Sequence, residues 1–164
     1  MSLDYKIREY IQEDREALKE ILLKNQDFHI NMDFTGLRER KNGYGEVIIK
    51  KQLERHISGK GKIYIVEYKN EVIGCGSCYV KTYNDQELLE LRIEKIGKIS
   101  KFFIKKIYRN QGIGSELMDK MEDWLKQKGC KFILLSVFGP NKRAFNMYKK
   151  YRYKVFFREM IKAI

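Results

Sequence analysis

The sequence predicts a mixed α/β fold in one domain spanning residues 1–164: a central mixed, mostly antiparallel sheet flanked by helices. Three observations carry this. Two apolar strand-like runs, Lys62–Tyr68 and Val72–Val80, are separated by the short turn Lys69-Asn70-Glu71, which makes an antiparallel hairpin. In the second half, strand-like and helical runs alternate, and that order implies parallel pairing. A length of 164 residues with 43% hydrophobic content suits one domain with a real core, and a single Pro excludes Pro-rich disorder.

The elements follow in order. Tyr5–Ile11 alternates large apolar and charged residues and reads as a half-buried strand. Asp14–Lys24 has Ala17, Leu18, Ile21 and Leu22 at helical spacing, with Asp14 as N-cap. Asn25–Gly45 holds three Gly or Asn-Gly signals and reads as irregular. Glu46–Ile57 is a helix ended by Ser58-Gly59. After the hairpin, Tyr83–Gly97 carries Leu88, Leu89, Leu91, Ile93 and Ile96 at positions that fit either a strand extension or a short helix. Ile99–Ile104 is a strand. Gly114–Lys128 is a helix with Leu117, Met118, Met121, Trp124 and Leu125 on one face and Gly129 just past its end. Phe132–Phe138 is apolar apart from Ser136, as expected of a central strand buried on both faces. Pro140 and Asn141 open a helix through Lys150, and Tyr153–Met160 closes the chain's pattern as a strand.

Charge is unevenly placed. The net charge is +12, yet residues 1–97 carry 17 basic and 17 acidic side chains, against 17 basic and 5 acidic in residues 98–164. The last two-fifths of the chain therefore either meets a polyanion or presents a solvated basic face. No apolar run approaches the roughly 20 residues of a membrane span, which argues against a membrane partner. Met1–Tyr5 has no basic region followed by an apolar stretch, so no signal peptide is visible. Three cysteines form an odd set that suits a reducing compartment, here the cytoplasm, over a disulfide framework. Cys75 and Cys78 stand three apart in a strand, so their thiols point to opposite faces. No second Cys pair or His follows at zinc spacing, and no metal is expected. His29 and His56 are isolated and receive no role.

The sharpest feature is the segment from Ile104 to Ser115. A strand ends, a loop containing Gly112 and Gly114 turns, and a helix begins. Successive N–H groups at a helix N-terminus favour an anion, and Gly lets a ligand approach the backbone. Arg109, Lys105 and Lys106 lie beside the loop, which makes a diphosphate a suitable ligand. No Lys-Ser or Lys-Thr follows the second Gly, so this is not a Walker loop. The third Gly of a dinucleotide fingerprint is also absent.

Arg109-Asn110-Gln111-Gly112-Ile113-Gly114 resembles the Arg/Gln-x-x-Gly-x-Gly/Ala signature of the GNAT superfamily of acyl-CoA-dependent N-acetyltransferases. Ile104 fits the apolar residue that the family places five positions before the Arg. Further on, Asn141-Lys142-Arg143-Ala144-Phe145-Asn146-Met147-Tyr148 resembles the family's Asn-x-x-Ala-x-x-x-Tyr segment, in the expected order and separation. The firm match covers about Ile99 to Tyr153. One departure is Arg152, which stands where the family often has the Gly that ends this helix.

The resemblance implies a GNAT-like fold and a set of roles. Acetyl-CoA would be the cosubstrate, its diphosphate held by backbone N–H groups from Gln111 through Gly112, Ile113 and Gly114 to Ser115, beside Arg109 and Asn110. Lys105 and Lys106 would pair with phosphates. The strand end at Phe103 and Ile104 would offer an N–H to the thioester oxygen, an oxyanion-hole role. Asn141 would bond the pantetheine arm, with Ala144 beside it. Tyr148 would give its phenol proton to the leaving thiolate, since a pKa of about 10 keeps it protonated at neutral pH. The general base is not fixed. The strand before the Gly loop has no acidic residue, which leaves Glu90 and Glu94 upstream, or a water oriented by Ser100. Phe28, His29, Asp33 and Phe34 fall where the family walls its acceptor cleft, and an aromatic, acidic wall would suit a cationic amine. The implied activity is acetyl transfer from acetyl-CoA to a primary amine, a small molecule or a peptide N-terminus, by direct attack. A homodimer is common in the family. The competing readings are a basic nucleic-acid-binding module, against which no nucleic-acid signature is present, and an acyl-CoA sensor without turnover.

Overall fold

The computed structural model describes residues 3–92 and 95–164. Its strands are β1 (Lys6–Glu9), β2 (Gly61–Tyr68), β3 (Glu71–Val80), β4 (Ile96–Ile104) and β5 (Phe132–Leu135). Its helices are α1 (Arg15–Asn31), α2 (Tyr44–Ile57), α3 (Asp85–Glu90), α4 (Ile113–Gln127) and α5 (Lys142–Lys150). The five strands form one sheet in the order β1-β2-β3-β4-β5. β1 to β4 pair antiparallel and β4 pairs parallel with β5, the mixed, mostly antiparallel sheet that the sequence predicts. The β2–β3 hairpin turns on Lys69 and Asn70, both at positive φ (48° and 63°), the two-residue geometry whose twist matches that of the strands.

Two apolar layers cover the sheet. On one face Leu18, Ile21 and Leu22 of α1 and Ile49 of α2 meet Ile63, Ile65, Cys75 and Phe103. On the other, Leu117, Met118, Met121, Trp124 and Leu125 of α4 meet Val66, Ile73, Cys78, Ile99 and Ile104. Each fully buried aliphatic side chain contributes about 1.5–3 kcal/mol. Cys75 and Cys78 fall in opposite layers, as their spacing requires, and all three cysteines are free thiols. α4 ends on Gly129 at φ 79°, where the Gly129 and Cys130 N–H groups bond the Lys126 and Leu125 carbonyls.

The structure corrects the sequence reading in four places. Asp14 does not cap α1 through its side chain. Its carboxylate instead accepts from the Arg8 guanidinium (2.7 and 2.8 Å) and the Ile11 N–H (2.9 Å), which holds it below its ordinary pKa against the opposing effect of burial. α1 runs on to Asn31, because Asn25, Phe28 and His29 continue the helical spacing of Ile21 and Leu22. β5 ends at Leu135 and is an edge strand with Phe132 62% exposed, so it is not buried on both faces. Residues 153–164 form no strand. The run Val155-Phe156-Phe157 breaks the alternation, all three side chains are exposed, and none of the described residues pairs with the outer edge of β5.

The undecided stretch before β4 resolves in part. α3 forms there, its N-terminus closed by reciprocal bonds between Asn84 and Glu87, and β4 starts at Ile96. Arg152 takes the left-handed conformation that Gly favours, with φ 63°. Its N–H bonds the Lys149 carbonyl (2.9 Å) and the Tyr153 N–H bonds that of Tyr148 (3.0 Å), so α5 keeps a Gly-type ending on an Arg.

Candidate active site

The site exists because β4 and β5 part. Their parallel pairing ends at Ile99 and Leu135, while β4 runs on to Ile104. Opposite β3, Ile99 pairs with Cys78 and Lys101 with Ser77, so Ser100 is an extra, bulged residue at the point of divergence. Between the parted strands lies a cavity of about 680 Å³, walled by α1, β4, the loop before α4, the segment after β5, and α5.

Antiparallel pairing decides which β4 groups face this cavity. The Lys105 N–H bonds the Ile73 carbonyl (2.8 Å), which makes that couple a hydrogen-bonded pair. Hydrogen-bonded and free pairs alternate, so Ile104, opposite Gly74, turns its N–H and C=O away from β3. The Arg109 Nε donates to that Ile104 carbonyl (2.8 Å). The Arg109 guanidinium also lies 5.1 Å from the Phe28 ring and 5.4 Å from the Phe103 ring, tying the loop to β4 and α1. Burial lowers the pKa of Arg109, with Arg143 adding to the effect.

The loop itself is built for exposure of its amides. Asn110 (φ 66°) and Gly112 (φ 80°) are left-handed, and Gly112 is the N-cap of α4. The Ser115 and Glu116 N–H groups bond the Gly112 carbonyl, whereas those from Asn110 to Gly114 have no acceptor among the described residues. The Arg143 guanidinium donates to the Asn110 side chain (2.8 Å), and the Tyr151 hydroxyl donates to the Ser115 carbonyl (2.9 Å), locking α5 against the loop.

Asn141 caps α5 by accepting from the Ala144 N–H (3.1 Å), and both line the cavity. One turn further on, Tyr148 lines it too. Tyr148 is 8% exposed, its ring packs edge-on against Phe102, and burial pushes its pKa up to about 12. Its hydroxyl has no hydrogen-bond partner among the described residues.

The other residues singled out in the sequence divide. Phe103, Ile104, Ile113, Gly114 and Ser115 line the cavity, as do Arg109, Asn110 and Gly112. Lys105, Lys106 and Gln111 lie outside its lining. Lys105 pairs with Glu71 on β3, and Lys106 and Gln111 are exposed. Glu90, at the end of α3, is exposed, accepts from Gln86 (2.7 Å) and does not line the cavity; Glu94 lies outside the described residues. Phe28 and His29 form part of the wall. Phe34 is 77% exposed, and the Asp33 carboxylate is consumed by Thr35 and the Arg38 N–H, so the wall is aromatic without being acidic. Sequence reasoning missed Asn25, Lys101 and Arg143. The first lay in a stretch read as irregular, and the other two were counted only as charge.

Four cations, Lys101, Arg109, Arg143 and Lys150, line the cavity, and no carboxylate does among the described residues. No group of three or more His, Cys, Asp or Glu that could hold a metal comes together among the described residues, and no helix there is long and apolar enough to cross a membrane.

Thialysine N-epsilon-acetyltransferase of Bos taurus is 35% identical over 78 residues, 48% of this chain and 42% of that protein. The chain thus spans less than half the length of that curated relative. Among solved structures, a predicted acetyltransferase with acetyl-CoA from Clostridium acetobutylicum superimposes with a TM-score of 0.74 at 15% identity, covering 97% of this chain and 96% of that one. The sequence profile of the acetyltransferase (GNAT) family matches residues 28–152, which take in the cavity's loop, its parted strands and α5. The chain belongs to that family.

Proposed function

We propose that the protein transfers the acetyl group of acetyl-CoA to a primary amine, without a covalent enzyme intermediate. One observation carries the reading: the acceptor-less N–H groups at the head of α4 open onto the same cavity as the Tyr148 hydroxyl and the strand end that turns the Ile104 N–H away from β3. The free amides of Gly112 to Gly114, with the α4 dipole and Arg143, would hold the diphosphate. Asn141 would receive the pantetheine arm. The Ile104 N–H would donate to the thioester oxygen as it gains charge.

The amine attacks as the neutral base. A C–N bond forms, the C–S bond breaks, and the acyl oxygen's charge rests on the Ile104 N–H. The Tyr148 phenol gives its proton to the leaving sulfur. The proton shed by nitrogen passes through water, which Ser100 at the bulge can orient, and restores the phenol. Products are the N-acetyl amide and CoA thiol, with no net proton released from the neutral amine. Burial suits Tyr148 to this task, because it keeps the phenol protonated throughout the neutral range.

The test is thiol release from acetyl-CoA across an amine panel, with thermal denaturation in parallel. Acetyl-CoA should raise the melting temperature and at least one amine should be acetylated. An unchanged melting temperature at millimolar acetyl-CoA defeats the proposal.

A further inference from the structure

The acceptor end of the cavity has a chemistry of its own. Asn25 and His29 stand four residues apart on α1 and so share one face of the helix. Lys101 lies across from them on β4, and all three line the cavity. Asn25 is 6% exposed and His29 is half-buried. None of the three side chains has a hydrogen bond or ion pair among the described residues. His29 makes only ring contacts, with Phe28 (6.0 Å) and Phe138 (6.2 Å).

Every charge felt at this end is positive. Burial lowers the pKa of Lys101; Cys75 opposes this, and Lys51 and Arg55 of α2 each add a lesser lowering. Burial, then Lys101 and Arg38, lowers that of His29. The Arg38 guanidinium sits 5.0 Å from the Phe138 ring at the cavity wall. A partly buried ammonium without a counter-ion is costly, and the unpaired Asn25 carboxamide keeps its polar atoms accessible at the cavity. All three groups can donate hydrogen bonds, and none supplies a negative charge.

Resting on the acetyl-transfer reading above, we propose that the acceptor is an amine that also carries an anionic group, a carboxylate or a phosphate, bound by Lys101 with Asn25 and His29. Lys101 supplies the charge, and the two α1 side chains supply oriented neutral donors. The anion completes partnerships that the protein leaves open. A purely cationic amine such as a polyamine meets only like charge there. The strand spacing places Lys101 about 10 Å along β4 from Ile104, so the anion binds away from the reacting carbonyl.

The experiment compares kcat/KM for matched pairs. Free amino acids are set against their amides, and amino-sugar or aminoalcohol phosphates against their unphosphorylated parents. The account predicts that the anionic member of at least one set is preferred by about 10- to 100-fold, the range expected of hydrogen bonds to a charged group. Which set shows the preference separates carboxylate from phosphate. In Lys101→Gln that preference should collapse toward one, mainly through the KM of the acceptor, while acetyl-CoA still raises the melting temperature of the variant. If acetyl-CoA neither stabilises the protein nor is consumed, the acetyl-transfer reading fails and takes this one with it. Turnover that favours neutral or cationic amines, turnover with no anionic amine, or a discrimination untouched by Lys101→Gln overturns the acceptor proposal alone.

Discussion

Tyr148→Phe should leave the protein at least as stable and less active. The ring, edge-on to Phe102 (6.4 Å) and Tyr153 (6.1 Å), keeps its packing in the variant, because only the hydroxyl is removed. That hydroxyl belongs to a side chain 8% exposed and has no partner among the described residues. Desolvating a polar group without a hydrogen bond costs about 1–3 kcal/mol, but this hydroxyl is not sealed from solvent, so its loss returns at most on the order of 1 kcal/mol. For a chain of this length, that raises the melting temperature by at most about 2–4 °C. Removing a positioned acid costs about 10²-fold or more in kcat, with the KM for acetyl-CoA nearly unchanged. Thermal denaturation and thiol release on the same preparation read both effects. A residue kept for function and not for stability loses activity in the variant without losing stability. A destabilised variant, or one with undiminished kcat, would refute the reasoning.

Gly112→Ala meets no atom within 4 Å of the new Cβ, so its cost is the left-handed backbone alone, about 1–2 kcal/mol. The loop relaxes and acetyl-CoA binding weakens in a calorimetric titration, whereas Gly112→Asn, which tolerates this conformation, loses less; equal affinities in both variants would contradict the loop assignment. Arg152→Gly relieves the strain at φ 63° and should stabilise by about 0.5–1 kcal/mol in urea denaturation, with a loss counting against the cap geometry. Burial pushes the Cys75 and Cys78 thiols from 9.0 up to about 12. Above pH 9.0 the unfolded chain sheds protons that the folded chain keeps, so these groups leave stability unchanged below that pH and erode it from there toward about 12. Urea midpoints should fall across that window, and a Cys75→Ala, Cys78→Ala double variant should fall less steeply; equal slopes would refute the cause.

Most of the sheet was legible because its signals are local. The hairpin announces itself in the Lys69-Asn70 turn, and the apolar stripe and Gly129 delimit α4 to within a residue at each end. Errors arose where tertiary context decides. Asp14 has the composition of a cap, but Arg8, six residues earlier, takes its carboxylate. Phe132–Phe138 reads as a buried strand by hydrophobicity alone. Whether it pairs on both edges depends on a sixth strand that the tail does not form. The same effect hides the cavity, since the parting of β4 from β5 follows from a bulge at Ser100 that no local pattern marks. That the Gly112–Gly114 loop and Tyr148 come together at one cavity was readable from motif spacing. The grouping of Asn25, His29 and Lys101 on the cavity wall was not. Asn25 and His29 share a face only once α1 is known to continue to Asn31, and Lys101 joins them only through the sheet register.

The central claim is that this cavity takes acetyl-CoA with its diphosphate at the head of α4 and its thioester at the end of β4. A crystal structure of the protein with acetyl-CoA tests it most directly. The account predicts diphosphate oxygens within hydrogen-bond distance of the Gly112 to Gly114 amides, the thioester oxygen on the Ile104 N–H and its sulfur beside the Tyr148 hydroxyl. A diphosphate seated elsewhere, or a thioester remote from Tyr148, would contradict it.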